Sequence, residues 1–346
     1  MADIPLNLFE QQARNRRQTT LWMIAFILFF AWLGFGGDFA AYLASRDADG
    51  VAHYRTPWVG IVVTIVGALV TWRAFAKGPK RVLWANGAKL IDTPKTDDER
   101  KFVNVVEEMA IAASLPKPKC YIIEDPDPNA FATGHGPEDA CIAATTGLVA
   151  ELNREELQAV VGHEMGHVRN LDVRLMTTIA ALVGFIVLLS DGLGRFFRHG
   201  GLSFGGGRSS GRKGGGGAGG AIALVILVLW IISLILAPII VRIMAMAVSR
   251  NREYLADATA AELTRNPGAL ASALEKIESH HAPTKAIHRS AAHLCISDPL
   301  GRKLNEKQGA LANLFGTHPP MGMRISRLKG MAFQTAKRAG ELPAQA

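Results

Sequence analysis

A chain of 346 residues with a net charge of +8 is long enough for one or two compact units, and its charge alone would admit a nucleic-acid partner. Lys and Arg, however, sit beside long apolar runs and form no basic stripe with interleaved aromatics, which excludes nucleic acid and points to a lipid bilayer instead. Three cysteines, Cys120, Cys141 and Cys295, make no CxxC pair, which excludes a disulfide framework and a thiolate metal site and fits a reducing compartment.

Residues 1–20 are polar, carry Arg14, Arg16 and Arg17, and are expected to form a cytoplasmic N-terminus. Residues 21–73 hold two apolar runs, about Leu21 to Gly36 and about Trp58 to Trp72. With no small-residue cleavage site in view, the first is expected to be a retained signal anchor and the pair two transmembrane helices. The loop between them sets Asp38, Asp47 and Asp49 against Arg46 and Arg55, whereas Arg73, Lys77, Lys80, Arg81 and Lys89 follow the second run. That contrast places the loop outside and the following segment in the cytoplasm.

Residues 74–174 form the first soluble section. A helix is expected from Asp97 to Leu115, with Phe102, Val105, Val106 and Met109 on one face. Strands are expected at 119–123 and 140–146, separated by a Pro/Asp/Gly-rich stretch around Asn129–Gly134. Asn153 is placed to N-cap a long helix starting near Arg154. Two more hydrophobic helices are expected within 175–248, over about Leu175 to Leu193 and about Ala221 to Val248, joined by the Gly/Ser-rich linker 200–220. Arg195, Arg198, Arg208, Arg212 and Lys213 in that linker would face outward if both runs span, against the positive-inside bias; a hairpin that does not cross fully is the alternative. Residues 249–346 are soluble again, with a helix expected from Pro267 to His281. The class is a mainly α membrane protein with four hydrophobic helices and an α+β catalytic domain divided between 74–174 and 249–346.

The expected long helix carries His163-Glu164-Met165-Gly166-His167. Positions i and i+4 share a helix face, so both imidazoles can turn to one ion, while Glu164 leans to the side of that face within reach of a water on the metal. This is the zincin arrangement, with two histidines on Zn²⁺ and a glutamate as base. Gly166 lets another element come close to this helix. A catalytic zinc usually takes a third protein ligand. Glu253, in Ser249-Arg250-Asn251-Arg252-Glu253-Tyr254-Leu255-Ala256-Asp257, is the best candidate, and Asp257 one turn later can accept the free N–H of a ligand histidine. Alone, these two acids would be read as pairing with Arg250 and Arg252 on a solvated face. Two apolar runs separate His167 from Glu253, so the three ligands return to one side of the membrane. Leu175 follows His167 by roughly 12 Å of helix and Glu253 follows the fourth run by about 8 Å, so both catalytic helices are expected to be extensions of membrane helices. One Zn²⁺ per chain is expected.

HEMGH with Asp172 and a membrane run after it, the Glu253 segment, Thr317-His318-Pro319-Pro320 with Arg324, and Asn129-Ala130-Phe131-Ala132-Thr133-Gly134 together resemble the HtpX-type membrane peptidases, relatives of the CAAX prenyl proteases. The resemblance implies a gluzincin fold and an active site on the cytoplasmic face of a multi-pass protein, expected in a bacterial inner membrane. It also implies stress-related quality control, with membrane-protein or unfolded polypeptide substrates. It implies further that Asn129, Ala130, Phe131, Ala132 and Thr133 form an edge strand able to hold a peptide through main-chain hydrogen bonds. The tetrahedral oxyanion of peptide hydrolysis needs a donor, and His318 or Arg324 is a candidate for it. The rival readings are a membrane scaffold with structural zinc and a CAAX prenyl protease proper. Residues 279–312 match nothing in the family.

Overall fold

In the computed structural model, the structure describes residues 8–45, 54, 56–183, 224–230, 232–233, 250–280, 284, 286–287, 289–297 and 319–338. The Gly-rich linker, most of the third and fourth apolar runs, and His318 lie outside the described residues. The chain divides into two units: Met1–Thr19, Lys77–Ala181 and Ile243–Ala346 form the first, and Thr20–Ala76 with Leu182–Arg242 the second.

The second unit contains most of two long helices, α1 (Leu8–Ala44) and α2 (Trp58–Ala85). Among the described residues these two are long and apolar enough to cross a membrane. Asp38, expected in the intervening loop, instead lies inside α1. The helix extends past the apolar run because the buried Asp38 carboxylate accepts the N–H groups of Val59, at 3.1 Å, and of Gly60 at the start of α2, and the hydroxyl of Tyr54 ahead of it. An acid satisfied by the exposed amides of a helix N-terminus carries little penalty for burial.

The first unit is built on a four-stranded sheet of order β1-β2-β4-β3: β1 (Lys89–Leu90), β2 (Lys119–Ile123), β3 (Ala130–Thr133) and β4 (Cys141–Thr145). β2 and β4 run parallel, Tyr121 opposite Ala143, while β3 pairs antiparallel with β4, Phe131 opposite Ala143. Between β1 and β2 lies α3 (Asp97–Ala113), capped by Thr96, whose hydroxyl accepts the Glu99 N–H at 3.1 Å. It buries Phe102, Val105, Val106, Met109, Ala110 and Ala113, one stripe at helical spacing. A short α4 (Thr146–Glu151) leads into α5 (Arg154–Arg169), which opens with a capping box of Asn153 and Glu156.

α5 is buried on nearly every side, packing against α3, β3, α6 (Arg250–Thr264) and α7 (Pro267–Ser279), and α8 (Met321–Arg338) packs on α7. A helix surrounded in this way reads as apolar or small all round, and Ala159, Val160, Val161, Gly162, Met165 and Val168 are buried with the motif residues. α5 does not continue into the third apolar run as the sequence suggests. It stops at Arg169, the Asn170 N–H turns back to the Gly166 carbonyl, and Leu171 takes a left-handed φ of 59° before a new helical stretch starts at Asp172. A left-handed non-glycine residue is seldom announced by sequence. Residues before Arg250 that would test the same expectation for α6 lie outside the described residues. All three cysteines are buried thiols outside any disulfide, and burial pushes those of Cys120 and Cys141 up to about 11.

Candidate metal centre

His163 and His167 project from adjacent turns of α5, their rings 4.8 Å apart and nearly perpendicular. Their Nε2 atoms point toward one carboxylate. Glu253 Oε2 lies 3.7 Å from His163 Nε2, and Glu253 Oε1 lies 3.5 Å from His167 Nε2. One ligand atom from each of the three residues falls within 4.8 Å of the others, and all three side chains are buried. This approach depends on the close packing of α5 and α6. A Cβ on Gly166 would meet Ala256 Cα at 3.1 Å and Thr259 Cβ at 3.2 Å. The small side of α5 therefore lets α6 set Glu253 against the histidines.

Each histidine has its own carboxylate behind it. His163 Nδ1 stands 2.9 Å from Asp257 Oδ1, and His167 Nδ1 stands 3.2 Å from Asp172 Oδ2. A carboxylate on Nδ1 fixes the tautomer and leaves the Nε2 lone pair for an ion. Arg324, from α8 and fully buried, forks onto Asp257, with Nε to Oδ2 at 2.9 Å and Nη2 to Oδ1 at 2.6 Å. Its Nη1 donates to the Ile296 carbonyl at 3.1 Å and lies 3.4 Å from Glu253 Oε2. The guanidinium is thus engaged with the acids of the site. His318, the other candidate oxyanion donor, lies outside the described residues.

The electrostatics fit a divalent cation. Glu164, Asp172, Glu253 and Asp257 are buried with Arg252 and Arg324, so the carboxylates of the group outnumber its guanidiniums. Burial works against a charge on His167, but the hydrogen bond to Asp172 and the charge of Glu253 outweigh it and raise the imidazole to about 9. His163 is shifted the other way by burial, with the Arg324 charge adding to it. Burial also works against the charge of Asp257, yet Arg324 overrides it and holds that carboxyl at about 2. Two imidazole nitrogens and one carboxylate are a zinc donor set.

Glu164 is buried, and neither of its carboxylate oxygens has a hydrogen-bond partner of good geometry among the described residues. Burial raises its pKa to about 7, the nearby Glu253 adding to the effect while the backbone of Ala132 in β3 offsets part of it. A buried acid with open lone pairs costs stability unless something else uses them.

Asn129–Thr133 lie beside this site, with β3 at the edge of the sheet. Its outer side is already engaged. The Ile296 N–H donates to the Ala130 carbonyl at 3.0 Å, Phe131 pairs antiparallel with Cys295, and the Asn129 side-chain amide donates to the Ser297 carbonyl at 3.1 Å. Part of the stretch 279–312, expected to match nothing in the family, therefore runs along the strand that the resemblance assigns to substrate.

Sequence reasoning missed the roles of Asp172 and Arg252. Asp172 entered the resemblance as the acid after HEMGH but without a role, and the left-handed turn at Leu171 is what returns it to the ring. Arg252, given no role by the sequence beyond the rejected alternative of a solvated face, is buried and lies 3.6 Å from Asp172 Oδ1.

The family model described as Peptidase family M48 matches residues 96–332, which take in 279–312, the stretch expected to match nothing. A Protease HtpX homolog of Caldanaerobacter subterraneus subsp. tengcongensis is 40% identical over 94% of this chain and 98% of its own. Those of Limosilactobacillus reuteri and Streptococcus gordonii are 40% and 38% identical over 94% of this chain and 100% of theirs. The crystal structure of S. mikatae Ste24p aligns with a TM-score of 0.43 at 20% identity, covering 78% of this chain and 58% of that one, a likeness too distant to compare sites. The chain belongs to peptidase family M48, among its HtpX-type proteases.

Proposed function

We propose that this protein is a membrane-anchored zinc endopeptidase with His163, His167 and Glu253 as metal ligands and Glu164 as general base. The observation that carries the proposal is the convergence of three buried ligand atoms within 4.8 Å of one another beside a buried glutamate with open oxygens. Zinc, when bound, supplies a Lewis acid that polarises the scissile carbonyl and acidifies a water. The chain does the rest. Asp257 and Asp172 hold the histidine rings by Nδ1. Arg324 holds Asp257 and Glu253 in place, which makes it a positioning residue in this reading. A carboxylate oxygen of Glu164 takes the proton of the attacking water and passes it to the leaving amine.

The peptide pairs with the outer edge of β3, whose residues lie next to Glu164. The Ala130 carbonyl can serve a substrate strand only after releasing Ile296, so Cys295–Ser297 withdraws as the peptide enters. Two apolar helices and the family support a bilayer setting, and membrane or unfolded polypeptides as substrates in quality control. The charge bias around α1 and α2 supports an active site on the cytoplasmic side, and the family supports a bacterial inner membrane as its setting.

The ligand assignment is tested by metal analysis of the purified protein and of Glu253→Ala. The wild type is expected to hold one zinc per chain and the variant much less. Equal zinc in both would remove Glu253 from the ligand set.

A further inference from the structure

The start of α1 reaches the metal centre. Gln12, Asn15 and Thr19 fall on one stripe of the helix, at i, i+3 and i+7, and Asn15 and Thr19 are both about 1% exposed. Polar residues at such spacing ahead of an apolar run would ordinarily be solvated. Here Gln12 Nε2 donates to the Arg169 carbonyl at 2.8 Å, and Asn15 Nδ2 donates to the Asn170 carbonyl at 2.8 Å. Both acceptors lie at the C-terminal end of α5, where a helix leaves carbonyls unpaired. The second N–H of Asn15 reaches Asp172 Oδ1 at 2.7 Å. Because both atoms facing Asn15 are acceptors, only the NH₂ end of its amide fits there.

Asp172 is therefore shared. One oxygen receives Asn15, with Arg252 Nε 3.6 Å away, and the other stands against His167 Nδ1. The Arg252 guanidinium is in turn bonded to Gln18, one more residue of the same helix. A carboxylate that is free to rotate would hold the imidazole loosely, and one pinned through its second oxygen holds it in a single orientation.

We propose that Asn15 is a positioning residue for the metal centre. Through Asp172 it fixes the ring of His167, so the first turns of α1 form a structural part of the peptidase site as well as a lead into the apolar helix. The inference rests on the ligand set proposed above. It differs from simple docking of α1 on α5, since Gln12 makes the docking contact without touching Asp172.

The test uses the full chain in detergent, with three single variants and the cobalt-substituted protein. Asn15→Leu removes the donor at nearly constant size, Asn15→Ser keeps a shorter donor, and Gln12→Leu removes only the docking contact. Zinc affinity is measured by chelator competition, and the cobalt absorption spectrum reports ligand geometry independently of turnover. Asn15→Leu is expected to weaken zinc binding about tenfold, within the usual range for partners behind a ligand, and to alter the cobalt spectrum. Asn15→Ser should fall between it and the wild type, and Gln12→Leu should match the wild type in both readouts. Unchanged affinity and spectrum in Asn15→Leu, or equal loss in Asn15→Leu and Gln12→Leu, would overturn the inference. Glu253→Ala separates this from failure of the ligand set. If that variant keeps its zinc, the ligand reading itself is wrong. If it loses zinc while Asn15→Leu behaves as wild type, only the role of Asn15 is wrong.

Discussion

Asp257 Oδ1 stands 2.9 Å from His163 Nδ1 while both oxygens of the same carboxylate are held by the fork of Arg324. The acid thus links His163 on α5 to Arg324 on α8, 161 residues apart in sequence. Asp257→Asn keeps the size but weakens both links. Zinc affinity, measured by chelator competition, is expected to fall about 10- to 100-fold. Arg324→Met leaves Asp257 and Glu253 without their cation and should lose zinc by a similar factor. The double variant should lose much less than the product of the two, because both act through one network.

Gly166→Val tests the approach of α6. At an exposed helical position, replacing glycine usually favours the helix, by about 1 kcal/mol for alanine and less for valine. Here the added Cβ would sit 3.1 Å from Ala256 Cα, a backbone atom that moves only with its helix. Displacement of α6 carries Glu253 with it. Peptide cleavage is expected to drop on the order of 100-fold, as for a misplacement of about 1 Å, with reduced zinc content. Wild-type zinc and cleavage would mean that the helix spacing does not set the ligand geometry.

Glu156 gives a pH signature remote from the candidate metal site. Burial opposes its charge, but Lys276 Nζ at 2.7 Å, Ser272 Oγ at 2.6 Å and the Asn153 N–H at 2.9 Å outweigh it and hold the carboxyl below its ordinary 4.5. A depressed folded-state pKa stabilises the protein above the unfolded value, and that contribution is lost as pH falls through the lower, folded value. Thermal unfolding of Glu156→Gln should show about 1–3 kcal/mol less stability near neutrality, with the gap to wild type closing below about pH 4. A gap that does not change with pH would mean that the charge is not the cause.

Withdrawal of Cys295–Ser297 is read by hydrogen exchange. Glu164→Gln is mixed with an unfolded polypeptide that it cannot cleave. The Ile296 amide, now bonded to Ala130, should exchange faster, while β3 stays protected by its pairing with β4. No change at Ile296 would mean that the peptide docks elsewhere.

What the sequence made legible were features carried by short-range periodicity. HEMGH places two rings on one face whatever surrounds them, and the stripe from Phe102 to Ala113 fixes α3. Glu253 was found by spacing and topology together. β3 was less visible, because Ala130–Thr133 is buried throughout and shows no alternation of apolar and polar residues to separate it from the loop around it. The supports of the site were hidden for two physical reasons. Asp172 reaches His167 only through a left-handed turn at Leu171, a residue type that does not announce one. Asn15 meets Asp172 from 157 residues away, and nothing local marks a polar residue as buried.

The central claim is that Glu164 acts on the water at a zinc held by other residues. It is tested most directly by measuring zinc content and cleavage of an unfolded polypeptide together, for wild type and Glu164→Gln. The account expects one zinc per chain in both proteins and a loss of cleavage of about 10²- to 10⁴-fold in the variant. Cleavage at the wild-type rate by zinc-loaded Glu164→Gln would contradict it.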